Sequence, residues 1–203
     1  VRFDHESKKP IPPSIRDQIL RYVKSLARRI GAIVISDYSK GVVSRELIEG
    51  IKEITKGTKI FLCVDPKQSD FSVYSGVYVI TPNHHEAQRA AGMEIVNGDD
   101  LISLGEKLLS RYDFRALLVT RGEEGMSLFE RGKNISHTFF PAQAKEVYDV
   151  TGAGDTVIGV LALALASKAT LKEATSLANH AAGIVVGKVG TSTVSKDELI
   201  GVL

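Results

Sequence analysis

The chain has 203 residues, 43% of them hydrophobic and 25% charged, with a formal net charge of +2. That length holds one sizeable core, and the near-balanced charge argues against a nucleic-acid or anionic-membrane partner. One cysteine excludes an internal disulfide and points to a reducing, cytoplasmic setting.

In chain order, "PPSIRDQILRYVKSLARRI" carries apolar residues at helical spacing behind prolines, so a helix opens at Pro13 and Ser14. "GAIVISD" is a short apolar run and predicts a buried strand. "SRELIEGIKEITKG" predicts a helix capped by Ser44 and closed by Gly57. "KIFLCVD" and "VYVITP" predict the second and third strands, with Cys63 a buried strand residue. "NHHEAQRAAG" begins on an N-cap asparagine and ends in glycine. "DDLISLGEKLLSRY" is a helix and "RALLVTRG" a fourth strand, while "GMSLFERGKNISHTFF" predicts a hairpin turning at Arg131 to Asn134. From Gly154 the pattern is helical to a short last helix near "SKDELIGVL". The longest apolar run, "VIGVLALALA", is too short to cross a bilayer, and no signal peptide is visible.

Short strands alternating with helices predict an α/β fold: an open, doubly wound, mostly parallel sheet with helices on both faces. In such sheets ligands sit beyond the carboxyl ends of the strands. "SDYSKG", "DPK", "TPNHHE" and "TRGEEG" follow the four strands, so charge and glycine gather at those ends.

The chemistry concentrates in "EVYDVTGAGDTVIGV". A dinucleotide fingerprint fails because position 157 is Val where Gly or Ala is wanted, and there is no G-K-[ST] for a Walker loop. The physics of an anion site remains: a glycine turn opening a helix exposes free N–H groups at the positive end of the dipole. Asp155 on the first turn either takes a proton from an attacking hydroxyl or merely complements the dipole, and the local stretch leaves both open.

"DVTGAGDT" resembles the signature of the ribokinase-like (PfkB) carbohydrate kinases. "TPNHHE", resembling the family's N-x-x-E, "VTRGEEGM" and "ANHAAGIVVGKVGTST" follow the family's pattern too. "RFDHE", "SDYSKGV", "VDPK", "QAKEVYDVTGAGDTVIGVLALALA" and "GIVVGKVGTSTVS" look like the kinase domain of bacterial heptose enzymes. The resemblance implies ATP-dependent phosphorylation of D-glycero-β-D-manno-heptose 7-phosphate at C1, serving ADP-heptose and lipopolysaccharide core synthesis. Other acceptors, such as ribose, adenosine or a fructose phosphate, stay open, as does a fragment that binds nucleotide without turnover.

The resemblance also implies residue roles. Asp155 is the base, and the N–H groups of Gly152, Ala153 and Gly154 form the anion hole. Asn83 and Glu86 position Mg²⁺ through water, with His84 and His85 in the same ATP-side loop; adjacent histidines on a helix point different ways, which disfavours zinc. Thr120, Gly122, Gly125, Asn179 and Gly183 line the nucleotide, and Lys67 reaches its phosphates. Asp37, Tyr38 and Lys40 face the sugar phosphate, joined by Arg2 and Asp4. Asp149, Thr151 and the loop around Gly190 form a monovalent-cation site. A homodimer of the full-length protein is implied. So is a lid and strand–helix unit ahead of residue 1, leaving 1–12 as the lid's return strand, 13–203 as the α/β core, and a sheet edge prone to association.

Overall fold

The computed structural model describes residues 6–144 and 146–203. The elements are α1 (Pro13–Leu26), β1 (Ala32–Ser36), α2 (Arg45–Thr55), β2 (Phe61–Asp65), β3 (Val79–Ile80), α3 (His84–Ala91), α4 (Gly98–Arg111), β4 (Ala116–Thr120), β5 (Met126–Arg131), β6 (Ile135–Phe140), α5 (Ala153–Ala166), α6 (Leu171–Val186) and α7 (Lys196–Ile200). Short 3₁₀ turns lie at Phe71–Tyr74 and Gly122–Glu124.

The local signals act as expected. Ser44 accepts from the Leu47 amide to start α2. Asn83 and Glu86 form a reciprocal capping box on α3, which ends at Gly92 with φ 61°. α4 begins earlier than "DDLI" suggests, because Asn97 caps it through the amides of Asp99 and Asp100. The third strand is shorter than "VYVITP", with only Val79 and Ile80 on the ladder.

The six strands lie in the order β1-β2-β3-β4-β5-β6. β1 to β4 are parallel, while β5 and β6 form the expected antiparallel hairpin. Strand alternation divides the core in two. Leu62, Val64, Ile80, Leu117 and Val119 meet α2, α3 and α4 on one face. Cys63, Val79, Ala116 and Leu118 meet α5 and α6 on the other. Cys63 is fully buried, and burial pushes its thiol up to about 12.

Among the described residues the strand order runs without reversal and contains no topological switch point. The return of the chain from β6 marks the cleft. α5 crosses back to pack on β1, β2 and α6, which brings its N-terminus over the carboxyl ends of the parallel strands. Val157, Ile158, Leu161 and Leu165 anchor it. "VIGVLALALA" is buried on one stripe only: Leu163 is 68% exposed, on the side of the helix turned from the sheet. Among the described residues β1 is one edge of the sheet, and its Val34 is 42% exposed.

Candidate active site

Two cavities meet at the start of α5. The first, about 410 Å³, is mostly apolar and is walled by Val147, Val150, Val157 and Val186. Thr120, Gly122, Gly125, Asn179 and Gly183 all line it, so the five residues expected around a nucleotide do come together. Asn179 is 4% exposed and donates from Nδ2 to the Pro141 carbonyl at 2.7 Å, which supplies the partner a buried amide needs. Gly125 has φ 82°, and a Cβ there would lie 2.1 Å from the Phe140 carbonyl oxygen. A Cβ on Gly183 would meet the backbone of Gln143 at 2.9 Å and of Ala144 at 3.1 Å. Both glycines hold space open under the segment that roofs this cavity.

The second cavity, about 390 Å³, is polar and shares Thr120, Val150 and Gly154 with the first. Its floor is the N-terminus of α5. Gly152 takes the left-handed conformation (φ 81°) that turns the chain into the helix. The Ala153 amide donates to the Val150 carbonyl at 3.2 Å. Among the described residues, the amides of Gly152, Gly154 and Asp155 have no acceptor, so the free donors at this turn differ by one from the expected set. Asp155 lines the same space. Its carboxylate accepts long hydrogen bonds from two hydroxyls at the end of β1: the Tyr38 phenol at 3.3 and 3.4 Å, and Ser36 Oγ at 3.4 Å.

Across the cavity, Lys67 Nζ bonds Glu86 Oε1 at 2.7 Å, while Glu86 Oε2 accepts the Asn83 amide at 2.9 Å. Glu86 is buried, so its charge is balanced by a specific lysine and a helix start. Asp65, at the end of β2, has its carboxyl pushed up to about 7 by burial first and then by the negative charge of Glu86 nearby; Asp155 and Asp37 add to it, and Lys67 opposes. Such an excess of negative charge fits a divalent cation. No group of three or more His, Cys, Asp or Glu able to hold a metal occurs among the described residues; a Mg²⁺ beside Asn83 and Glu86 would lean on few protein carboxylates and largely on water and phosphate oxygens.

Other expected residues are placed differently from one another. Asp37 borders the polar cavity but is 3% exposed, and its carboxylate is directed at internal donors. Lys40 lines neither cavity and pairs with Glu6. His84 and His85 also line neither. Their rings lie together with centroids 3.8 Å apart, against the expectation that neighbours on a helix diverge, and among the described residues the buried His84 Nδ1 has no hydrogen-bond partner. Arg2 and Asp4 lie outside the described residues. Asp149 and Thr151 do meet: the Thr151 amide donates to Asp149 at 2.9 Å. The Thr151 side chain and amide, with a backbone bond from Gly190, hold the Asp149 carboxyl below its ordinary range. Sequence reasoning passed over Ser36, Asp65, Gln68 and Tyr74. Asp65 had a visible signal as the last residue of an apolar strand, whereas Tyr74 carried none.

A sequential, mostly parallel sheet, a glycine-opened helix returning over its carboxyl ends and paired apolar and carboxylate cavities define a ribokinase-like α/β protein. The sequence profile of the pfkB family carbohydrate kinases matches residues 16–198. The chain belongs to that family. It is 46% identical over 201 residues to the bifunctional protein HldE of Geobacter metallireducens, covering 99% of this chain and 41% of that protein. It is 47% identical over 181 residues to bifunctional protein HldE of Yersinia enterocolitica, covering 89% and 37%. The chain thus spans about two fifths of the length of these relatives. Among solved structures it resembles phosphofructokinase-2 from Escherichia coli in complex with potassium, at TM-score 0.80 and 19% identity, over 95% of this chain and 62% of that one. It also resembles Arabidopsis thaliana ribokinase complexed with ribose and ATP, at TM-score 0.74 and 20% identity, over 92% and 58%. These last two likenesses speak to the fold.

Proposed function

We propose that the protein transfers the γ-phosphoryl group of ATP to the C1 hydroxyl of D-glycero-β-D-manno-heptose 7-phosphate, a step toward ADP-heptose and lipopolysaccharide core. The observation that carries the reading is the position of Asp155, on the first turn of α5 beside free amides and where the two cavities adjoin. ATP would place its base in the apolar cavity and its γ-phosphate at the Gly152–Gly154 turn. The acceptor oxygen attacks phosphorus while its proton passes to the Asp155 carboxylate. The bond from phosphorus to the bridging oxygen breaks, and its electron pair leaves with ADP. The unpartnered amides stabilise the charge on the moving phosphoryl oxygens. Mg²⁺ near Asn83 and Glu86 would supply neutralising charge to the nucleotide phosphates, and Lys67 would shift between Glu86 and those phosphates.

The heptose acceptor rests on the likeness of "SDYSKGV", "VDPK" and "GIVVGKVGTSTVS" to heptose 7-phosphate kinase domains. Asp37 serves this reading from within the loop, and Tyr38 from the cleft. Asp149, Thr151 and Gly190 are the residues for a monovalent cation. A cytoplasmic homodimer belongs to the same reading, on the resemblance to the heptose kinase domains alone. Among the described residues no helix is long and apolar enough to cross a membrane.

The test is a coupled ADP-release assay on the full-length protein. It runs over heptose 7-phosphate, ribose, adenosine and fructose 6-phosphate. The expected result is a kcat/KM for heptose 7-phosphate at least about 100-fold above the others, the selectivity that specific polar contacts achieve. Equal rates would remove the heptose assignment, and no ADP release with any acceptor would remove the kinase reading.

A further inference from the structure

Tyr38, which reaches Asp155, and Lys67, which reaches Glu86, lie in two different loops, and one buried pair of side chains joins those loops. Asp37 directly follows β1. Its Oδ2 accepts from the Tyr74 phenol at 2.5 Å and from Gln68 Nε2 at 2.8 Å, and its Oδ1 accepts from the Ser39 amide at 2.7 Å. Tyr74 lies in the 3₁₀ turn after β2 and is fully buried. Burial, reinforced by its bond to Asp37, holds the Tyr74 phenol above its ordinary range, so it keeps the proton it donates.

The same phenol oxygen accepts long bonds from the amides of Gln68 at 3.3 Å and Lys67 at 3.4 Å. Gln68 Nε2 also reaches the Val43 carbonyl at 3.3 Å, and the Asp37 amide donates to the Asp65 carbonyl at 3.0 Å. One neighbour of this hub, Tyr38, reaches Asp155. Another, Lys67, reaches Glu86. Ser39 takes φ 52°, a conformation a non-glycine residue adopts only when its surroundings hold it there, and its amide is bound to Asp37.

We propose that Tyr74 is a positioning residue: its hydrogen bond to Asp37 locks the loop bearing Tyr38 to the loop bearing Lys67. The contacts at Asp155 and at Glu86 are thereby set together. This rests on the reading of Asp155 as the base only for its effect on rate; the lock itself is a property of the two loops. Phosphoryl transfer depends on placement, so a shift of either loop lowers turnover more than it lowers affinity.

The experiment compares Tyr74→Phe with the parent in the full-length protein. Phenylalanine keeps the ring in its pocket and removes the hydroxyl. Hydrogen exchange is expected to quicken at the amides of Ser39, Lys67 and Gln68, with little change in β4 or α6. With acceptor and ATP, kcat is expected to fall about 10-fold while KM for ATP stays within about 2-fold. A double-mutant cycle gives the sharper readout. If Tyr74 acts through the loop of Tyr38, then Tyr74→Phe with Tyr38→Phe loses less in kcat than the product of the two single losses. Multiplicative losses would overturn the positioning role, and unchanged exchange at Ser39 would overturn the lock. Should Tyr74→Phe fold poorly, Asp37→Asn is the second variant. It keeps an oxygen for the phenol and should retain slower exchange at 67–68 than Asp37→Ala; equal exchange in both would also overturn the lock. A parent protein inactive with every acceptor would refute the kinase reading while the exchange data still decide the lock.

Discussion

The phenol of Tyr38 lies within 3.4 Å of both carboxylate oxygens of Asp155, joining residues 117 apart in the chain. The bond is long, and Tyr38 is 58% exposed in the cleft, so an incoming hydroxyl can take its place on the carboxylate. Asp155→Asn removes the proposed proton acceptor and keeps the shape. It is expected to lower kcat by about 1,000-fold with ATP affinity retained. Calorimetric ATP titration alongside turnover checks this, and unchanged turnover would sink the base assignment.

Tyr38→Phe takes away a donor to Asp155 and leaves the proposed base in place. The expected loss in kcat is about 5-fold, smaller than for Asp155→Asn, because Ser36 still reaches the carboxylate. A loss as large as that of Asp155→Asn would give Tyr38 a direct part in the chemistry.

Gly183→Ala sets a methyl against the backbone of Gln143 and Ala144, 2.9 and 3.1 Å away in the present geometry. The roof of the apolar cavity must move to admit it. KM for ATP should rise several-fold with little change in KM for the acceptor. Steady-state kinetics with each substrate varied would show it, and an equal rise in both would separate Gly183 from nucleotide binding.

Asp65 sets a pH dependence of stability. Its carboxyl is pushed from an ordinary 3.8 up to about 7, chiefly by burial and by Glu86. A raised acid holds its proton more tightly in the native state, so the contribution of Asp65 to stability is fully present below pH 4 and is lost as pH climbs to 7. Removing the charge with Asp65→Asn should stabilise the metal-free protein at pH 8 by on the order of 2 kcal/mol. The gain should shrink toward pH 4. Urea melts at both pH values test it; a gain independent of pH would assign the effect to packing.

Cys63 lies fully buried in β2, with burial pushing its thiol to about 12. It should resist a thiol-specific reagent at pH 8 in the native protein and react stoichiometrically once denatured. Rapid native labelling would mean that β2 opens on the time scale of the assay.

Much of the fold was legible because its signals are local. The Asn83–Glu86 capping box, the Ser44 cap, the Gly92 stop and the β5–β6 hairpin each depend on partners a few residues away. The four strand-end polar clusters all contribute residues to the two cavities, and the five residues expected around a nucleotide share one of them. Side-chain direction was less legible. Asp37 and Lys40 stand three residues apart in one polar loop, yet one turns inward to Tyr74 and the other pairs with Glu6.

The sequence by itself therefore determined the elements, the glycine turn at 152 and the presence of a carboxylate on the first turn of α5, because backbone propensity and capping act over a few residues. Only the tertiary structure decided what Asp155 faces. Tyr38, Ser36, Lys67 and Glu86 converge because α5 returns across a sheet whose register aligns Ser36 with Asp65. That register, and the Asp37–Tyr74 bond beside it, are set by packing between segments far apart in the chain, which no local pattern encodes.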